Sequence, residues 1–216
     1  MIALLAAAAL ALSPDAVLTK YRAALKAVRE PRVFTVEYTL EQTGTRTLEQ
    51  THRIFRSGGD ERDEIIEVNG TRTTHPQVRI FRGRRYRYTV SSLAPRAAAY
   101  DFTFVGTRRD GRHVDYVYDL TAKRPQAFTL TRITIDGVTF LPAALIFVTR
   151  DHDGRGEIHF AKAEKWWVAT TASASASEPG GTAHERLTFS AWRFPPSLPA
   201  GTFGARPHPT PQALLP

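Results

Sequence analysis

The chain has 216 residues, a formal net charge of +8 and no cysteine. Its length suits one large all-β domain. The missing thiols exclude disulfides, a Cys nucleophile, Cys-based zinc sites and a lipid anchor on a Cys of its own, so the core must hold the fold unaided. Of the 29 basic residues 24 are Arg, and the run Arg82-Gly83-Arg84-Arg85-Tyr86-Arg87 has the chemistry to meet phosphates and stack on bases. Because these arginines alternate with Ile80, Tyr86 and Tyr88 as on a solvated strand face, no nucleic-acid partner is expected; such a surface favours anionic lipid headgroups or an acidic protein.

In chain order, Met1 to Leu12 are almost entirely Ala, Leu and Ile, followed by Ser13-Pro14-Asp15. This reads as the apolar region of a secretory signal peptide over 1–12, with Ala9-Leu10-Ala11 as the cleavage site, although it carries no Lys or Arg; the alternative is the first turns of the following helix. Residues 15–30 predict that helix: Ser13 is the N-cap, Pro14 suits the first turn, Leu18, Tyr21, Leu25 and Val28 recur at helical spacing, and Pro31 ends it. It either covers the sheet as ordinary core or forms part of a lid.

From Arg32 the period becomes two. Phe34, Val36, Tyr38 and Leu40 alternate with polar residues, and strands follow over 46–56 and 61–68, joined by Ser57-Gly58-Gly59-Asp60. Four Asx-Gly pairs, at 69–70, 110–111, 136–137 and 153–154, supply residues that tolerate the positive φ of tight hairpins. After Pro76, a short hairpin around Gly83 is expected to join Val78 and Ile80 to Tyr86, Tyr88 and Val90, with 91–99 a loop or short helix. Tyr100, Phe102 and Phe104 pair through Asp110-Gly111 with Val114, Tyr116, Tyr118 and Leu120. Strands over 129–135 and 138–149 flank Asp136-Gly137, with Pro142 marking an edge, bulge or bend. Strands over 157–160 and 163–171 follow, the second carrying Trp166-Trp167, one ring to each face. Ala172 to Gly181, rich in Ala and Ser, is expected to be a flexible loop. A last strand over 185–194 precedes a tail with seven prolines in 22 residues, which cannot continue a sheet interior. About eleven strands result, in a single domain over 13–203, with a Pro-rich tail over 204–216.

The chemistry of catalysis is hard to find. There is no phosphate-binding Gly loop, nucleophile elbow or His-Glu-x-x-His helix. Asp151-His152-Asp153-Gly154-Arg155-Gly156-Glu157 resembles part of a calcium loop, but Gly stands at position 4 and Arg at position 5, so a hairpin turn explains it better. His113, His159 and His184 lack the spacing of a metal set, and nothing brings Glu164 to Glu185. No enzyme activity, metal or cofactor is expected.

The segment from Leu130 through Ile133, Asp136, Gly137, Phe140 and Pro142, then Glu157 to Phe160, Trp166 to Val168, Arg186 to Phe194, Leu198-Pro199 and Phe203, resembles LolA-like outer-membrane lipoprotein-sorting proteins (the LolA/LolB superfamily), with elements in the same order over residues 15 to 203. The resemblance implies an all-β fold with an N-terminal helix: a curled antiparallel sheet forming an incomplete β-barrel, with a helical lid over an apolar cavity for acyl chains. The family's carriers have a basic-Pro turn with an arginine tied to lid closure; this chain has Arg53 to Gly59 there, with Arg56 in the corresponding place and no Pro.

On this reading the protein is a periplasmic or otherwise exported, non-enzymatic binder or carrier of acyl chains of lipid or lipoprotein. Its cavity would be lined by Phe34, Val36, Tyr38, Leu40, Tyr100, Phe102, Phe104, Val114, Tyr116, Tyr118, Ile133 and Ile135, with Arg56 controlling the lid. Its partners would be an envelope acceptor or release protein and the membrane periphery, and it would act as a monomer. The alternative is an envelope regulatory or structural interaction module whose core is filled by its own side chains. A small outer-membrane barrel shares the alternation, but the lone helix, arginine-laden strands and Pro-rich end oppose it.

Overall fold

The structure, a computed structural model, describes residues 12–83, 88–111, 113–125, 128–149 and 154–204. The helix α1 (Pro14–Ala27) comes first, with the Ser13 hydroxyl accepting from the Ala16 N–H at 3.4 Å and Pro14 in the first turn. Strands β1 (Val33–Thr43), β2 (Leu48–Ser57), β3 (Asp60–Val68) and β4 (Thr71–Phe81) follow. The short helix α2 (Val90–Leu93) leads to β5 (Tyr100–Asp110), β6 (His113–Ala122), β7 (Phe128–Asp136), β8 (Pro142–Thr149), β9 (Gly154–Ala163), β10 (Trp166–Glu178) and β11 (Gly181–Arg193). All eleven strands join one antiparallel sheet in the order β4-β3-β2-β1-β11-β10-β9-β8-β7-β6-β5. The first and last strands lie side by side, so the two arms of the meander become one surface. It curls without closing.

That curl leaves β4 and β5 as edges. Unpaired strand edges template association unless blunted, and β4 carries Pro76 while β5 carries the exposed pair Arg108 and Arg109. The inward face is covered by α1, whose Val17 and Tyr21 are fully buried, with Leu18 and Leu25 packed alongside. The Tyr21 hydroxyl donates to the Pro95 carbonyl at 2.7 Å, and the Tyr118 hydroxyl donates to the Pro14 carbonyl at 2.8 Å. The helix is thus pinned at both its start and its middle.

Several sequence expectations are corrected. Ala172 to Gly181 is no loop: it is the second half of β10, its turn and the start of β11. Ala172, Ala174 and Ala176 alternate with serines, and the strand is hydrogen-bonded on both sides, to β9 and β11. Small side chains weaken strand propensity, but two complete ladders outweigh it. The expected strand over Tyr86 to Val90 is also absent at its described end. Val90 opens α2, which is capped by reciprocal bonds between Thr89 and Ser92; this is the capping logic that starts a helix. Residues 84–87 lie outside the described residues, as do 1–11, 151–153 and 205–216, which hold most of the expected signal peptide, part of the calcium-like segment and nearly all of the tail.

The Asx-Gly pairs divide. Asn69 and Gly70 adopt φ of 49° and 74° in the tight β3–β4 hairpin, the left-handed geometry such turns need. Asp136-Gly137 instead opens a wider connection. There the Asp136 carboxylate accepts from the Val138 and Thr139 N–H groups and the Thr139 hydroxyl, and Phe140, not Gly137, takes the positive φ. Gly137 is needed for closeness, since a Cβ there would overlap the Val114 carbonyl. Consequently β8 starts at Pro142, the strand position where a missing N–H is tolerated.

Candidate functional site

The inward face of the sheet has two chemistries. In the cluster that includes Val17 and Tyr21 of α1, Tyr118, Ile133, Ile135 and Leu145 have at most 1% of their surface exposed. Seven of the twelve expected cavity residues, Phe34, Val36, Tyr100, Tyr116, Tyr118, Ile133 and Ile135, belong to this buried cluster; Tyr38, Leu40, Phe102 and Val114 pack against it. Phe104 departs from them. It is 40% exposed, because it lies on the edge strand just before the irregularity between Phe104 and Gly106, and its ring meets Tyr118 edge-on with ring centres 5.3 Å apart.

Towards β2 and β3 the same inward alternation delivers charge. His52 lies opposite Tyr38, Arg56 opposite Phe34, and Glu61 opposite Arg56. The His52 ring stacks on Tyr38 at 4.5 Å, and its Nδ1 is 2.8 Å from Asp63 Oδ1. Arg56 Nη1 donates to Glu61 Oε2 at 2.8 Å, with both side chains more than nine-tenths buried. A buried ion pair adds little net stability, but removing one partner strands the other. Burial pushes the Tyr38 phenol up, with Asp63, Tyr88 and Glu61 adding to it and Arg79 opposing. Burial likewise raises Tyr21, against the pull of Arg96, and raises Tyr118 to about 12, helped by Asp15.

Where the two regions meet, a cleft of about 420 Å³ opens between the end of α1 and α2. Its walls include Arg29, Glu30 and Arg32 from the α1 exit, Phe34 and Arg56 from the strands, Tyr88, and the indoles of Trp167 and Trp192. A second, more apolar groove of about 370 Å³ lies beyond Tyr88, lined by Leu93, Phe128, Phe147, Ile158, Ala172 and Leu187. Tyr88 borders both. Each volume falls within the ~300–1,000 Å³ common for small-molecule sites. A third groove of about 480 Å³ lies among Ile146, Arg155, Glu157, Ala174, His184 and Arg186.

Of the expected lining residues only Phe34 borders the cleft; Arg56 borders it too. Sequence reasoning missed Trp192 and the small-residue floor of the groove, although both left a trace. The apolar positions of β11 switch from odd (Leu187, Phe189) to even (Trp192), which is the mark of a bulge. In the structure Ala191 takes φ 49° and two β11 residues oppose one of β1. That shift packs Trp192 against Phe34 at 5.3 Å and Phe189 at 6.3 Å. In the Ala-Ser run, Ala172 and Ala174 face the concave side with no bulk to fill it. Trp167 donates to the Pro142 carbonyl at 2.7 Å, and Trp166 packs on Phe194.

Away from the cleft, His113 Nε2 sits 2.9 Å from Asp115 Oδ1 and 2.9 Å from Asp136 Oδ2, two carboxylates that lie directly opposite each other across β6 and β7. These three are the group among the described residues close enough to share a cation. The ring nitrogen already lies between the carboxylates and, carrying at most one hydrogen, can bond only one oxygen at a time. His159 and Glu157 form an exposed pair at 3.3 Å.

An open, curled antiparallel sheet with a helix across its concave face and an aromatic cleft at the helix exit defines a half-barrel fold. No family model matches the chain, and no curated protein matches it. Among solved structures, it is similar to a LolA superfamily protein from Nitrosomonas europaea at 15% identity and TM-score 0.47, covering 89% of this chain and 98% of that one. A DUF1329 family protein from Desulfovibrio piger shares 12% identity at TM-score 0.48, with 87% and 96% covered. A domain described as an outer membrane lipoprotein-sorting protein from Vibrio parahaemolyticus shares 13% at TM-score 0.48, with 87% and 94% covered.

Proposed function

We propose that the protein is an exported, non-enzymatic binder or carrier of acyl chains, working in the cell envelope and handing its ligand to an acceptor there. The observation that carries this reading is the pair of adjoining volumes on the concave face, walled by aromatic and aliphatic side chains and bordered jointly by Tyr88. Burying a few hundred Å² of acyl surface at ~25 cal/mol per Å² yields several kcal/mol before association costs. In the form described here α1 fills the deeper bowl. Lifting it would uncover Tyr116, Tyr118, Ile133 and Ile135 for a longer chain. The cost of exposing Val17 and Tyr21, about 1.5–3 kcal/mol each, is within what such a chain returns. Arg56, in the cleft wall beside the α1 exit, is the residue proposed to report that movement to β2 and β3.

Delipidated protein should take up a fluorescent fatty acid with saturable binding, and native mass spectrometry of freshly purified protein should find co-purified lipid. Failure of both overturns the reading. The complete burial of Ile133, Ile135 and Leu145 under α1 favours one second reading, a protein-interaction module with a permanently filled core; it would give neither signal.

A further inference from the structure

The cleft differs from the groove beyond Tyr88 in what its walls demand. Three guanidinium groups, on Arg29, Arg32 and Arg56, line it against the single carboxylate of Glu30. That carboxylate is engaged, since Glu30 Oε1 accepts from the Ser91 N–H at 3.1 Å, and Arg56 donates to Glu61. The remaining positive charge belongs to Arg29 and Arg32, both exposed at the mouth.

The second observation is independent of charge. Trp192 lines the cleft, and its indole nitrogen, like that of Trp166 outside it, is buried with no acceptor among the described residues. Trp167 in the same wall has found one in the Pro142 carbonyl. Leaving a buried N–H unmet costs on the order of 1–3 kcal/mol, and an indole can only donate. Both needs, for negative charge and for acceptor oxygens, are met by the same kind of group.

Resting on the acyl-binding reading above, we infer that the cleft is the headgroup subsite for a single-chain anionic amphiphile. Its carboxylate or phosphate oxygens meet Arg29 and Arg32 and, once the ring turns its buried nitrogen to the cleft, the Trp192 N–H. Its first methylenes lie against Phe34, Trp167 and Tyr88, and its chain passes Tyr88 into the groove of Leu93, Phe128 and Phe147. A quaternary ammonium headgroup would suit an aromatic enclosure through cation–π attraction, but the arginines oppose it. A neutral ester satisfies the indole and leaves the arginines without a counterion. Tyr88 then marks the boundary between the polar and apolar parts of the ligand.

The test compares ligands that differ only in the head. Binding of oleate, lysophosphatidate with an oleoyl chain, methyl oleate and oleoyl lysophosphatidylcholine would be measured below their micelle concentrations by calorimetry and tryptophan fluorescence. Oleate or lysophosphatidate is expected to bind about tenfold or more tighter than methyl oleate, as for charge-assisted bonds in a partly dry site, and the better of the two names the headgroup as carboxylate or phosphate. The preference should shrink with added salt and in Arg29→Gln/Arg32→Gln, whose substituted side chains are exposed and not needed for folding. Trp192→Phe keeps the ring and should weaken oleate while sparing a hydrocarbon probe. Equal binding of oleate and methyl oleate, or tightest binding of the choline lipid, overturns the headgroup subsite and leaves acyl binding intact. If none of the four binds, the acyl-binding reading falls with it.

Discussion

Strands β6 to β8 and strands β1 to β3 present the same alternation to the same concave surface, yet one region is filled with aliphatic and phenolic side chains beneath α1 and the other buries His52, Arg56, Glu61 and Asp63. The difference shows what each arm does. The first is sealed by a helix, and its groups need nothing but neighbours. The second borders the cleft, and its polar groups are held by one another at 2.8 Å in each pair. The sealed arm is held by packing, the charged one by pairs that fail if either partner is removed.

The contrast can be broken most sharply at the buried ion pair. Glu61→Ala leaves the Arg56 guanidinium buried without its carboxylate and should lower stability by about 3–5 kcal/mol, while Arg56→Met/Glu61→Leu should recover most of it. Urea unfolding of the three proteins decides; a Glu61→Ala effect no larger than a surface change would mean that the pair is not buried in solution. In the sealed arm Leu145→Ala should cost ~2–5 kcal/mol through lost burial and a cavity, whereas Val138→Ala, at a position 74% exposed, should leave the midpoint unmoved.

A third measurement joins the arms through pH. The Tyr118 phenol has its pKa raised from 10.0 to about 12 in the folded protein, so the folded state holds its proton where the unfolded state has released it. The stabilisation is fully present below pH 10 and drains away as pH rises through about 12. Ionisation also removes the donor to the Pro14 carbonyl beside Asp15, so α1 should loosen first, seen as earlier hydrogen exchange at its start. Tyr118→Phe should flatten the alkaline slope of unfolding; an unchanged slope would assign it to other phenols such as Tyr21 and Tyr38. Among the interactions put to the test, the smallest effect is expected at Arg132, whose exposed pair with Asp119 at 2.7 Å should contribute no more than ~1 kcal/mol, measured by thermal unfolding of Arg132→Ala at low and high salt.

Much of the fold was legible because period-two alternation reports directly on which face of a strand is wet. Phe34 to Leu40, Val114 to Leu120 and Ile133-Ile135 carry it cleanly, and Ser13-Pro14 marks the start of α1, which ends at Ala27 and not at residue 30 before Pro31. Alternation fails where a residue is added without changing composition, as at Ala191. It also fails where the residues are too small to carry hydropathy, as in Ala172 to Ala176, which read as loop and proved to be strand. The cleft was illegible for a related reason. Its residues come from the α1 exit, β1, β2, the turn before α2, β10 and β11, and no local pattern relates Arg29 to Trp192.

By itself the sequence determined an antiparallel meander with one apolar face, one amphipathic helix before it and no thiol chemistry, because turn residues and side-chain periods act over a few positions. Only the tertiary structure decided that the helix lies inside the curl and fills part of it, that β1 and β11 pair, and that arginines and indoles converge at the helix exit. Those outcomes depend on how far the sheet twists and where its bulges fall, and these are set by contacts between residues more than a hundred positions apart.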